Sequence, residues 1–180
     1  LDCSRTRNAS RTTIAPTGTL SLIAGCSSGI EPLFALSYTK NILDGAQLVE
    51  VNPHFEEAAR SGGFYSEELM QKLADGVHLG EIDGVPEAAR QLFVTAHEIT
   101  PEWHVRIQAA FQQSTDNAVS KTVNFPQEAT REDVAWVYQL AYEENLKGIT
   151  IYRDRSRDAQ VLTTGQPEKQ IADEGKLTPR

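Results

Sequence analysis

The segment Ala15-Pro16-Thr17-Gly18-Thr19-Leu20-Ser21 gathers two threonines, a serine and a glycine where a strand-like stretch gives way to a helical one. Hydroxyls and backbone N–H groups at such a junction can converge on one anion, and the positive end of the helix dipole adds to the attraction. Phosphate suits that chemistry. The same Thr-Gly-Thr also serves in ordinary turns and caps. The segment lacks the Gly-Lys-Ser/Thr ending of a nucleotide P-loop and the glycine spacing of a dinucleotide fingerprint.

Two further segments carry reactive residue types. In Gly25-Cys26-Ser27-Ser28-Gly29-Ile30-Glu31-Pro32, two glycines bracket small polar residues and force a tight connection. Cys26 has neither a neighbouring histidine nor a second cysteine at CxxC spacing, so it reads as a buried or tolerated thiol rather than a reactive one. Cys3 sits in a polar N-terminal stretch and carries less still. In Tyr152-Arg153-Asp154-Arg155-Ser156-Arg157, a tyrosine and an arginine leave the end of a strand, where α/β sheets gather ligands. The same run also reads as a solvated charged exit into a tail. Asn124 at a strand end, and His104 with Arg106 on a helix, read as capping or packing residues. His54, His78, His97 and His104 are scattered without metal-ligand spacing, so no metal site is expected.

The elements that must position these residues alternate in type. Thr12 to Ala15 is β-biased, and Leu20 to Ala24 reads as a short helix closed by Gly25. Leu33 to Ile42 and Gln47 to Val51 are extended segments around Leu43-Asp44-Gly45-Ala46, a hairpin-turn signal. Asn52-Pro53 starts a helix that ends at Gly62-Gly63, and Ser66-Glu67-Glu68-Leu69 opens another that stops near Gly76. Pro86 to His97 reads as a third. Thr100-Pro101 then starts a helix with Trp103, Ile107, Ala110 and Phe111 at helical spacing. Ala118 to Phe125 alternates like a strand and is stopped by Pro126. Thr130 to Asp133 resembles a capping box, and the helix after it places Val134, Val137, Leu140 and Ala141 on one face until Gly148. Ile149 to Tyr152 is a short strand, so this last stretch is a parallel βαβ unit. The fold class is mixed α/β.

Composition bounds the rest. The 180 residues carry 25 acids against 17 Lys plus Arg, a net charge of -8, with 39% hydrophobic residues and two cysteines. A chain of that size can bury a core without staples, and two cysteines suit a reducing compartment. No apolar run is long enough for a membrane span and no signal-peptide layout is present. The acidity is concentrated: residues 41–103 hold twelve acids and three bases, whereas residues 1–40 hold four bases and two acids. The potential is therefore most positive near the anion-binding candidate.

As a set the motifs closely resemble the C-terminal barrel region of the large chain of ribonucleotide reductase, in particular the adenosylcobalamin-dependent class II form. The resemblance rests on Arg7-Asn8-Ala9-Ser10-Arg11, Ile14 to Ser21 and Gly25 to Pro32. His104 to Phe111, Thr115 to Asn124 and Lys147 to Arg153 continue it in the same order. It runs from about Arg7 to Leu162. It implies an α/β fold that is the C-terminal part of a ten-stranded barrel with crossover helices, over residues 1–154. Residues 155–180 would form a flexible tail or linker. It implies that Pro16, Thr17, Gly18, Thr19, Leu20 and Ser21 hold the phosphates of a ribonucleoside di- or triphosphate. Conversion to the 2′-deoxyribonucleotide would use adenosylcobalamin as radical source and an external dithiol such as thioredoxin as reductant, in a cytoplasmic enzyme and possible homodimer. No nucleic acid or membrane partner is implied.

The radical-bearing cysteine and the Asn-Cys-Glu stretch of the family are expected upstream of Leu1, and the shuttle cysteines beyond Arg180. No catalytic residue is therefore assigned in this chain, and the fragment alone is expected to be inactive. Tyr152 falls near where the di-iron class relays a radical, a step that a cobalamin enzyme does not need. The alternative is a free-standing nucleotide- or phosphate-binding module, or a structural piece, using the same loop without catalysis.

Overall fold

The computed structural model describes residues 7–41, 47–154 and 156. They fall into two compact units, one built from the residues up to Phe34 and from Gln91 onward, the other from Ala35–Arg90. The expected hairpin turn at residues 43–46 and nearly all of the expected tail lie outside the described residues.

In the Ala35–Arg90 unit, β1 (Ser37–Asn41) pairs antiparallel with β2 (Gln47–Val51) in the register Ser37 to Val51 and Asn41 to Gln47. Helix α2 (Pro53–Ser61) begins where expected because Asn52 Oδ1 accepts from the N–H groups of His54 and Phe55, both at 3.1 Å, while Pro53 needs no partner. Helix α3 (Glu67–Ala74) is capped by Ser66, whose Oγ accepts from Leu69 N–H. Phe55, Ala59, Leu69, Met70, Leu73, Leu79, Ile82 and Val85 are buried and form this unit's apolar interior. The Arg90 guanidinium donates to the carbonyls of Gly80 and Ile82, closing the turn that precedes it.

The other unit carries α1 (Gly18–Ala24), α5 (Pro101–Gln112), β3 (Thr122–Phe125), α6 (Arg131–Glu143) and β4 (Thr150–Arg153). Strands β3 and β4 pair in parallel, Thr122 with Thr150 and Phe125 with Arg153, and α6 is their crossover. The expected βαβ unit is therefore present. Its core is Val105, Val123, Phe125 and Val137, with Val134, Leu140, Leu146, Ile149 and Ile151 packed around it. Burial of each such side chain is worth about 1.5–3 kcal/mol. The capping box is complete: Thr130 Oγ1 accepts from Asp133 N–H while the Asp133 carboxylate accepts from Thr130 N–H.

Two expectations are corrected, and one helix face is settled. The helix expected over Pro86 to His97 is only α4 (Glu87–Leu92). Beyond it Thr95 N–H and Oγ1 both turn to Glu98 Oε2 at 2.7 Å and Ala96 N–H donates to Leu33 O, so the backbone has other partners. Helix α6 ends at Glu143, with Asn145 in the left-handed region at φ 58°, before Gly148 is reached. On α5 the apolar residues at helical spacing face outward: Trp103, Ile107 and Phe111 are exposed, while His104, Val105, Gln108 and Ala109 are buried. Hydrogen bonding decides that orientation. Gln108 Nε2 donates to Val119 O at 2.9 Å and to Gly148 O at 2.8 Å, tying together the approaches to β3 and β4.

Candidate functional site

The β-biased stretch at Thr12 to Ala15 forms one parallel bridge, Ile14 to Val119, continued by Ser120 N–H to Ile14 O at 2.8 Å and Asn117 N–H to Thr12 O at 3.0 Å. Below the bridge, Asp116 Oδ2 accepts from the N–H groups of Arg11 and Thr12 at 2.8 and 3.2 Å. The Arg11 N–H, followed by the hydrogen bond from Thr12, holds the Asp116 carboxyl below its ordinary range. The chain thus enters the loop alongside the approach to β3.

Pro16 leads to Thr17, which lies in the left-handed region at φ 51°, ψ 29°. A β-branched residue is rare there, and the conformation costs about 1–2 kcal/mol. It is held because Thr17 Oγ1 accepts from Gly29 N–H at 3.0 Å and Thr17 O accepts from Ser21 N–H at 2.8 Å. Occupied in this way, the Thr17 side chain does not cap α1. The N–H groups of Gly18, Thr19 and Leu20 are then left without intrahelical acceptors. A Cβ at Gly18 would meet no atom within 4 Å, so the space beside that residue is open. The short helix closes where expected, at Gly25 in the left-handed region, φ 64°.

The six residues expected at the site divide by role. Thr17 and Ser21 hold the loop: Ser21 is buried and its Oγ donates to Gly18 O at 2.7 Å and shares a 2.8 Å hydrogen bond with Ser28 Oγ. Pro16, Gly18, Thr19 and Leu20 are exposed. Gly29, at φ 52°, could not carry a Cβ without approaching Ala15 O to 3.2 Å. Cys26 is exposed in this turn, and Tyr152 and Asn124 are paired partners on β4 and β3.

A buried polar chain adjoins the loop. Glu31 Oε1 accepts from Thr122 N–H at 2.6 Å, and Glu31 Oε2 accepts from Lys121 Nζ at 2.7 Å. The Lys121 ammonium is 1% exposed and also donates to His104 Nδ1 at 2.8 Å and to Thr122 O at 2.5 Å. His104 Nε2 meets Ala96 O at 3.0 Å; with Nδ1 accepting from lysine, Nε2 carries the proton. Burial, reinforced by the Lys121 charge, holds the His104 imidazole below its ordinary value. Burial likewise lowers the Lys121 ammonium, against the raising influence of Glu31. The sequence carried a signal for this group: in Val119-x-Lys121-x-Val123-x-Phe125 the lysine falls on the inward phase of an alternating strand. His104 is the packing residue expected, but its packing partner is a charge.

An entry bridge, a strained turn and a short helix, seated on a parallel βαβ stem, define an α/β protein with an exposed strand-to-helix loop. The chain belongs to the ribonucleotide reductase barrel-domain family, whose model matches residues 4–152. It is 52% identical over 171 residues to a vitamin B12-dependent ribonucleoside-diphosphate reductase of Thermoplasma acidophilum, covering 95% of this chain and 22% of that protein. A protein of the same description from Mycobacterium tuberculosis strain CDC 1551 is 48% identical over 166 residues, 92% of this chain and 24% of that protein. Among solved structures, the class Id ribonucleotide reductase alpha subunit of Actinobacillus ureae superposes with a TM-score of 0.62 at 19% identity, covering 77% of this chain and 25% of that one. The expected fold is thereby shown. The chain spans a quarter or less of these relatives.

Proposed function

We propose that this chain is a part of a ribonucleoside-diphosphate reductase and that its Pro16–Ser21 loop holds the substrate phosphates. The observation that carries the assignment is α1 left uncapped by a strained Thr17, with the N–H groups of Gly18, Thr19 and Leu20 free of intrahelical partners. The more basic opening segment favours the same anion. The relatives' descriptions as ribonucleoside-diphosphate reductases favour the diphosphate.

When bound in the full-length enzyme, adenosylcobalamin would supply the radical chemistry for removal of the ribose 2′-hydroxyl. His104, buried among the described residues, has both ring nitrogens engaged by Ala96 O and Lys121 Nζ and would take no part in holding that cofactor. The work of this chain is instead binding and orientation: backbone donors and the Thr19 hydroxyl receive phosphate, and Thr17 and Ser21 fix their directions. An external dithiol such as thioredoxin completes the redox cycle, and a homodimer in the reducing cytoplasm is the setting we infer. Among the described residues no helix is long and apolar enough to cross a membrane.

The test is substrate binding by the full-length reductase carrying Thr17→Ala with Thr19→Ala. Weakening hydrogen bonds to a charged phosphate costs about 1.5–3 kcal/mol, so affinity for a ribonucleoside diphosphate falls about ten- to a hundredfold. Unchanged affinity rules the phosphate assignment out.

A further inference from the structure

We propose that Glu31, Lys121 and His104 are positioning residues for the Pro16–Ser21 loop, a buried polar staple that fixes the loop against β3 without touching substrate. The inference rests on the phosphate reading of that loop.

The loop is closed at its base on consecutive residues that lead into β3. Its entry is bridged at Ile14 to Val119 and Ser120, and its exit is fastened where Glu31 meets Lys121 and Thr122. From Glu31 the linkage continues into the loop itself. Glu31 N–H donates to Ser28 O at 2.9 Å, Ser28 Oγ meets Ser21 Oγ, and Gly29 N–H holds the Thr17 hydroxyl. A shift of Glu31 therefore moves the two contacts that keep Thr17 left-handed and Ser21 oriented.

The choice of residues favours positioning over stability. Lys121 occupies an inward strand position between buried Val119 and Val123, where an aliphatic side chain would pack without desolvating a charge. A buried ion pair is weak support for stability, but it is directional. All three ammonium hydrogens are committed, to Glu31, His104 and Thr122 O, so the carboxylate can take one place. An apolar contact would tolerate sliding by a fraction of an ångström, which is enough to misdirect backbone donors. His104 completes the arrangement by accepting from Lys121 while its Nε2–H is anchored on Ala96 O.

The test uses the full-length reductase with Glu31→Gln, Lys121→Met and the double substitution, measuring KM and kcat for cytidine diphosphate beside the thermal midpoint. Each single substitution is expected to raise KM about five- to thirtyfold and to leave kcat within about threefold. The double is expected to be no worse than the larger single, since the two groups act as one unit. Val137→Ala, a cavity in the same unit's core, is expected to lower the midpoint without moving KM. If Lys121→Met does not fold, Glu31→Gln decides alone, because the amide preserves size and an acceptor for Thr122 N–H. Unmoved KM in a folded Glu31→Gln enzyme overturns the proposal. So does a double effect equal to the product of the singles, or a KM rise in Val137→Ala matching theirs. A Thr17→Ala, Thr19→Ala enzyme that loses affinity while Glu31→Gln does not leaves the phosphate loop standing and removes only the staple.

Discussion

Replacing Gln108 with leucine removes one side chain that joins two strands. Gln108 is fully buried on α5, and its Nε2 spends both hydrogens on carbonyls 29 residues apart in sequence, Val119 O at 2.9 Å and Gly148 O at 2.8 Å. Leucine strands both carbonyls, at about 1–3 kcal/mol each. It also removes the buried Gln108 Oε1, which has no protein partner, and so recovers one penalty of the same size. The net loss is about 2 kcal/mol, confined to the approaches of β3 and β4. Amide hydrogen exchange of the full-length protein reads it directly: exchange in residues 119–125 and 148–153 quickens about thirtyfold while the Ala35–Arg90 unit is unchanged. Acceleration below about threefold in those segments would falsify the two-carbonyl account. Gln108→Glu adds a sign. Burial and two facing carbonyls hold that carboxyl neutral in the folded state, above its unfolded value of about 4.3. The unfolded state then binds fewer protons, and this variant must lose protection as pH rises from 5 to 8.

Two shorter predictions concern the loop and its neighbour. Gly29→Ala places a side chain at φ 52° and 3.2 Å from Ala15 O, so it costs about 1–2 kcal/mol and speeds exchange in residues 26–31; undiminished protection there contradicts the strained turn. Burial lowers the His104 imidazole relative to its unfolded value of about 6.5, so the unfolded state takes up the proton first. Stability present above that pH is lost as pH falls through it, at a limiting slope of about 1.4 kcal/mol per pH unit. Thermal midpoints of wild type and His104→Gln between pH 5 and 8 should diverge on the acid side, and parallel profiles are the contrary result.

Local chemistry was legible in the residues themselves. Asn52-Pro53, Ser66 and the Thr130-to-Asp133 box start helices because each supplies an acceptor within three residues of the donor it satisfies, a relation written in sequence spacing. The βαβ unit was readable for the same reason, as alternation, cap and strand follow one another without a gap. The end of α4 was not, since Ala96 N–H goes to Leu33, more than sixty residues earlier. Nor was the outward face of α5, where spacing marks Trp103, Ile107 and Phe111 and long-range hydrogen bonds turn Gln108 and His104 inward.

The Thr17–Ser21 loop divides along the same line. Residue types and order determined that a strand-to-helix turn rich in hydroxyls and backbone donors stands here, and its motifs carried the resemblance to the reductase family. Only the tertiary structure decided that Thr17 and Ser21 spend their hydroxyls on holding the turn, while Thr17 gives α1 no side-chain cap. It also decided that the loop is fastened by Glu31 to a lysine 90 residues away. Capping depends on neighbours within a turn of helix, whereas the pairing of a buried charge depends on which distant segment folding brings within hydrogen-bond reach.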